Sequence, residues 1–158
     1  MKETDFAHKF INEYLYKLYP FMYAIKIHGH EAQEEGIPDN LFCLDSIFVG
    51  IEFKVRRDNR ITTTPFQLKH INRIKTSGGV GIIVAYDENN DKILIRHNKL
   101  DYRKIFLSER AKTVGVKTKS IIIDWDFEFN TYEDAVKMIQ IMVNTRSEIW
   151  IEKKQLVL

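Results

Sequence analysis

The sequence predicts a sheet core with helices packed on it, an α/β (α+β) arrangement. Three observations lead there. The apolar pattern changes period along the chain in the order helix, strand, strand, strand, helix, strand. The runs Ile47 to Val55 and Gly81 to Tyr86 are apolar nearly throughout, as strands buried on both faces are. Turn residues (Asp45-Ser46, Gly78-Gly79, Asn89-Asn90-Asp91) stand where one segment gives way to the next.

In chain order, Glu3 to Tyr19 reads as a helix. At about 100° per residue Glu3, Phe6, Ala7, Phe10, Ile11, Tyr14 and Leu18 fall on one stripe, with Asp5, His8, Lys9 and Asn12 opposite. Pro20 stops it. Tyr23 to His28 alternates and is rich in strand formers, with Ala24 and Lys26 on one face; Gly29 then opens a polar loop through Gly36. Asp39 to Leu44 and Ile47 to Val55 flank Asp45-Ser46 as a hairpin. Thr62-Thr63-Thr64-Pro65 starts a helix over Pro65 to Thr76 with proline at its first position, and Gly78-Gly79 ends it. Gly81 to Tyr86 and Lys92 to Arg96 are strands.

Further on, Leu100 to Arg110 reads as helical and Ser120 to Asp124 as a strand. Thr131 to Val143 is a helix with Ala135, Ile139 and Met142 inward, and Thr131 with Asp134 has the form of a capping box. Glu148 to Leu158 reads as a short edge strand. The expectation is one domain over residues 1–158, a core to about residue 96 and a C-terminal elaboration beyond it.

Composition narrows the function. The chain has 158 residues, 44% apolar and 29% charged, with ten Phe, seven Tyr and two Trp, enough for a core without staples. Cys43 is alone, which excludes an intrachain disulfide and a cysteine-rich zinc site. No apolar run approaches a membrane span and the first residues lack the shape of a signal peptide, so the expected compartment is reducing and cytoplasmic. Charge is segregated. His28 to Glu52 carries Glu31, Glu34, Glu35, Asp39, Asp45 and Glu52 with no Lys or Arg. Lys54 to Lys75 carries Lys54, Arg56, Arg57, Arg60, Lys69, Arg73 and Lys75 against Asp58 alone, and Lys92 to Lys119 is basic again. Solvated surface charge gives such blocks too. They also suit a site where carboxylates hold a cation and adjacent bases hold a polyanion.

The segment that carries chemistry is Gly36-Ile37-Pro38-Asp39 followed by Glu52-Phe53-Lys54. Period two puts Glu52 and Lys54 on one strand face and Phe53 on the other. A hairpin partner brings Asp39 alongside. Two adjacent carboxylates repel unless a cation sits between them, and Mg²⁺ takes one or two carboxylates plus waters. A lysine beside such an ion can orient a water and steady a phosphate oxygen, the needs of metal-assisted phosphodiester hydrolysis. Taken alone, the tripeptide fits an exposed strand with a surface ion pair. Set in an apolar run fit for a central strand, its charges are costly unless they have a task.

These residues resemble the PD-(D/E)XK nuclease superfamily, specifically its virus-type replication-repair nuclease (VRR-NUC) branch and phage Holliday-junction-resolvase-like relatives. The resemblance spans Glu3 to about Tyr86. It is carried by Lys26-Ile27-His28-Gly29, Gln33, Gly36-Ile37-Pro38-Asp39, Glu52-Phe53-Lys54, Pro65-Phe66-Gln67 and Gly78-Gly79-Val80-Gly81 in order. It implies a restriction-endonuclease-like core, a mixed central sheet flanked by helices. It also implies a metal held by Asp39, Glu52 and the carbonyl of Phe53, with Lys54 directing water and phosphate. The family's helical glutamine maps onto Gln67, and its first-helix acid onto Glu3, with Glu13 the weaker candidate. Gln67, Ile71 and Ile74 share one helix face, in agreement.

The implied activity is a Mg²⁺-dependent DNA endonuclease, with Mn²⁺ substituting. Lys26, Arg56, Arg57, Lys69 and Arg73 are the expected phosphate contacts. No sequence-reading module is visible, so specificity for DNA structure, such as a four-way junction, is expected. Two symmetric cuts would need a homodimer. Flap, nicking or restriction-like nucleases are alternatives, as is a non-catalytic DNA-binding subunit, which loss of Asp39, Glu52 or Lys54 would have favoured. His28 and His30 lack a ligand pattern. Asp124, Asp126 and Glu128 fit a polar edge better than a second metal site.

Overall fold

Alternation along the strand Ile47–Arg56 decides the architecture, because its two faces carry different residues. Val49, Ile51 and Phe53 enter one hydrophobic cluster, whereas Glu52 and Lys54, although buried, do not. The computed structural model describes residues 1–27, 37–107, 112–114 and 118–157. Among them the strands are β1 (Tyr23–Lys26), β2 (Asn40–Leu44), β3 (Ile47–Arg56), β4 (Ile61–Thr63), β5 (Val80–Asp87), β6 (Lys92–Arg96), β7 (Lys112–Val114), β8 (Thr118–Ile121) and β9 (Phe127–Phe129). The helices are α1 (Glu3–Lys9), a π-helical segment (Phe10–Leu15), α2 (Tyr16–Leu18), α3 (Pro65–Thr76), α4 (Tyr102–Leu107) and α5 (Tyr132–Val157).

Six strands form one mixed sheet in the order β1-β2-β3-β5-β6-β9; β4-β8-β7 form a smaller one. The β3–β5 pairing is parallel and the rest of the large sheet is antiparallel. Helices flank it: α1, the π segment and α5 bury Phe6, Phe10, Leu15, Ala135, Ile139 and Val143 against one face. On the other, Leu68 of α3 packs with Ile83, Ile61 and Ile121. No helix among the described residues is long and apolar enough to cross a membrane.

The β2–β3 hairpin turns at Asp45 and Ser46, both left-handed (φ 48° and 68°), which matches the twist of the strands it joins. Helix α3 has the predicted bounds, and Gly78, with φ 94°, turns the chain out of it. Gly81 lets α3 lie against β5: a Cβ there would meet the backbone carbonyl oxygen of Ile71.

Several expectations need correction. The first helix is not uniformly α-helical. Its π segment widens the turn, so Phe10 and Leu15, five residues apart, are both fully buried; Leu15 joins the stripe, and Leu18, partly buried, also packs against the core. Glu148 to Val157 continues α5 instead of forming an edge strand, because no Gly or Pro interrupts the helix after its Thr131 cap. The later strand is Thr118–Ile121, and β4, β7 and β9, three residues each, were not foreseen. Of the expected Leu100–Arg110 helix, α4 covers Tyr102–Leu107, and residues 108–110 lie outside the described residues. So do His28, Gly29, His30, Gln33 and Gly36.

Replacing Gly81 with alanine should therefore cost about 1–3 kcal/mol, the scale of overpacking a tight contact. Thermal denaturation should show a fall of several degrees in Tm. An unchanged Tm would contradict the α3–β5 approach.

Candidate active site

The site begins one residue before β2 starts. Asn40 pairs with Ile51 and Leu41 with Gly50, so one further step of the register sets Asp39 level with Glu52 on the same face. Asp39 is exposed, and its carbonyl accepts a 2.7 Å hydrogen bond from the Ile27 amide, which ties it to the end of β1. Beyond Ile51, β3 continues to Arg56 without a β2 partner. A cleft of about 460 Å³ opens there, lined by Glu3 and His8 of the first helix, by Lys26 and Asp39, and by Phe53.

Phe53 ties the cleft to the first helix. Its ring lies 5.6 Å from Phe6 and 5.4 Å from Phe10, edge-on to both, so the residue between Glu52 and Lys54 anchors the helix that carries Glu3.

On the face of β3 turned away from the Phe53 ring, the face that Asp39 shares by register, Glu52, Lys54 and Gln67 form a closed triangle. Lys54 Nζ lies 3.2 Å from Glu52 Oε1 and donates to Gln67 Oε1 at 3.3 Å; Gln67 Nε2 donates to Glu52 Oε1 at 2.7 Å. Glu52 and Lys54 are 2% and 5% exposed, so both ions sit in a poorly screened interior. Gln67 can face only one way. Its Oε1 also accepts from Thr63 Oγ1 (2.9 Å) and the Thr64 amide (3.1 Å), leaving Nε2 for the carboxylate. Thr64 completes a capping box by accepting from the Gln67 amide at 3.1 Å. Thr63 and Thr64 are the site residues that sequence reasoning missed. The signal, Thr64 with Gln67 three residues on, was present.

One atom is left over. Glu52 Oε2 is buried and has no hydrogen-bond partner, an unusual state for a carboxylate oxygen. Burial pushes the Glu52 carboxyl up to about 7; Lys54 opposes the shift, and Asp39 and Glu3 add to it. No group of three or more His, Cys, Asp or Glu that could hold a metal occurs among the described residues.

The other expected residues are dispersed. Lys26 is exposed on the cleft wall. Arg56 and the exposed Arg57 are engaged by the protein's own acids. Arg56 NH1 pairs with buried Asp87 at 2.8 Å, and Arg57 Nε with Glu88 at 2.7 Å. Lys69 and Arg73 lie on α3, the former half-buried and the latter exposed. Asp126 accepts the backbone amides of His97 and Asn98, and Glu128 pairs with Lys92, so both are structural.

No protein-family model matches this sequence, and no curated protein does. Among solved structures, Hjc, a Holliday junction resolvase from the archaeal hyperthermophile Archaeoglobus fulgidus, is similar with a TM-score of 0.48 and 15% identity. That match covers 75% of this chain and 87% of the other. The bacterial homing endonuclease I-Ssp6803I is similar with a TM-score of 0.39 and 14% identity, over 92% of this chain and 95% of the other.

The raised Glu52 carboxyl has a consequence for stability. In metal-free protein the native state keeps a proton that the unfolded chain releases near its ordinary value of 4.5. Stability should thus fall as pH rises from about 4.5 through about 7, by a few kcal/mol at most. Chemical denaturation across that range should show this slope, and Glu52→Gln should gain on wild type as pH rises. Parallel profiles would contradict the assignment.

Proposed function

We infer that the chain is a metal-dependent DNA endonuclease with a restriction-endonuclease-like catalytic centre. The carrying observation is the buried Glu52–Lys54–Gln67 triangle, with Glu52 Oε2 unpartnered and Asp39 level with Glu52. The donor set fits Mg²⁺ or Mn²⁺: two carboxylates and a main-chain carbonyl from Phe53, with waters filling the other positions. When bound, the ion would supply an acidified water and neutralise charge on the phosphate.

The protein's own residues do the rest. Asp39 and Glu52 stand level on neighbouring strands, and their mutual repulsion favours a cation between them. Lys54, fixed by Glu52 and Gln67, has an ammonium to orient a water and to hold a phosphate oxygen as negative charge develops on it. Gln67 keeps the carboxylate and the ammonium in register. Glu3 adds negative potential from the cleft wall. Lys26, Lys69 and Arg73 carry the phosphate contacts near the site. Arg56 and Arg57 brace β3 against Asp87 and Glu88. Branched DNA is the proposed substrate and a homodimer the proposed working form, because symmetric cuts need two such sites.

Lys54→Ala separates chemistry from binding. Cleavage of a four-way junction in Mg²⁺ should fall by a factor on the order of 10² or more, the scale of one lost transition-state contact, with DNA affinity little changed. Asp39→Ala should also lose cleavage but recover part of it in excess Mn²⁺, and Lys54→Ala should not. Chelator should silence the wild type. Wild-type cleavage by Lys54→Ala, or undiminished activity in chelator, would end this reading.

A further inference from the structure

The cleft beside the catalytic centre holds polar and aromatic groups that the rest of the protein does not use. Asn40 is the first residue of β2 and only 8% exposed, yet among the described residues its side-chain amide makes no hydrogen bond. Period two puts Asn40 and Phe42 on one face of β2, and both line the cleft of about 460 Å³. The amide is open to that cleft rather than sealed in the interior. A buried donor and acceptor are costly to leave unmade. Water satisfies them in the free protein, and a ligand that displaces the water must return both bonds. Tyr16 is the second unused group. It is 40% exposed, lines the same cleft, and its side chain makes no ring contact or hydrogen bond among the described residues.

The charges exclude one occupant. Glu3, Asp5 and Asp39 line the cleft against Lys26 and His8, so a phosphate inside would meet more negative than positive charge. A neutral, flat heterocycle would not. Its face suits the Tyr16 ring and its edge suits the Asn40 amide. The size agrees, because small-ligand sites span roughly 300–1,000 Å³.

We propose that the cleft takes one unpaired nucleobase of a DNA strand, with the Asn40 amide bonded to the base's pairing edge. The identity of the ligand rests on the nuclease reading. Each of the four bases carries a donor beside an acceptor on that edge, and an amide offers one of each. Asn40 therefore recognises that an edge is free, not which base it belongs to. In a duplex that edge is engaged, and extracting the base costs stacking and pairing energy that an unpaired base has already lost. The cleft would thus give preference for branched or bulged DNA without a module that reads sequence. Asp39 joins it to the catalytic centre. Asp39 lines the cleft, stands level with Glu52, and precedes Asn40 by one residue, about 3.8 Å along the chain. A strand with its scissile phosphate at Asp39 brings a neighbouring base to Asn40.

The test measures anisotropy of three labelled duplexes in chelator, where cleavage does not intervene. One is fully paired, one has a single unpaired deoxyadenosine, and one has an abasic residue in its place. Wild type should bind the unpaired deoxyadenosine about tenfold more tightly than the abasic residue, the scale of a bidentate hydrogen bond with stacking. Asn40→Leu, which keeps the shape and removes both bonds, should lose most of that preference. Ala24→Trp, which fills the cleft from the exposed strand β1, should lose it too, and its exposed position lets it carry the test even where Asn40→Leu unfolds. Both variants should bind the fully paired duplex within about twofold of wild type, since phosphate contacts supply that affinity. No preference for the base in wild type would overturn the proposal, as would a preference that survives in both variants. A preference lost in Ala24→Trp but kept in a folded Asn40→Leu would overturn the part given to Asn40. Wild type that keeps the preference but cuts no DNA in any metal would defeat the nuclease reading alone. Wild type that cuts junctions without the preference would defeat the base site alone.

Discussion

The fold is arranged around one costly object, a glutamate carboxylate buried on a central strand. Glu52 is 2% exposed, shares one oxygen with Lys54 and Gln67, and has nothing for the other. Removing one partner from such a pair costs about 3–5 kcal/mol in general, because the remaining charge is stranded. The triangle of Glu52, Lys54 and Gln67 therefore forms as a unit. Its third side comes from α3, whose capping box fixes Gln67 before the helix has made a full turn.

Everything that positions α3 also positions the site. Gly81 allows the helix to approach β5, Leu68 packs with Ile83, and β4 sets the Thr63 hydroxyl against Gln67. On the other face, Phe53 locks the first helix to β3 through Phe6 and Phe10 and so places Glu3 on the cleft wall. A single strand thus serves two purposes through its period of two: Val49, Ile51 and Phe53 enter the core, and Glu52 and Lys54 on the other face form the candidate site.

That periodicity explains what was legible in the sequence. The hairpin, α3 and β5 announce themselves by pattern and punctuation, so Asp39, Glu52 and Lys54 could be placed together before any coordinates, whereas Gln67 is assigned through the family resemblance, with its helix spacing in agreement. Strands of three residues such as β4 and β9 have no period to detect, and their pairing comes from distant segments. The π segment keeps helical composition while shifting phase, which moves Leu15 inward without a local signal. The partners of Arg56 and Arg57, Asp87 at the end of β5 and Glu88 just past it, become neighbours only through the β3–β5 register. Charge runs show where bases are, not what holds them.

The proposed chemistry requires Glu52 Oε2 to be the open valence of a metal site. Calorimetric titration of Mn²⁺ into the DNA-free protein tests this most directly. The prediction is binding to wild type that releases more protons at pH 6 than at pH 8, as the Glu52 carboxyl gives up its proton to the ion, and loss of that binding in Glu52→Gln. Equal Mn²⁺ affinity in wild type and Glu52→Gln would contradict it.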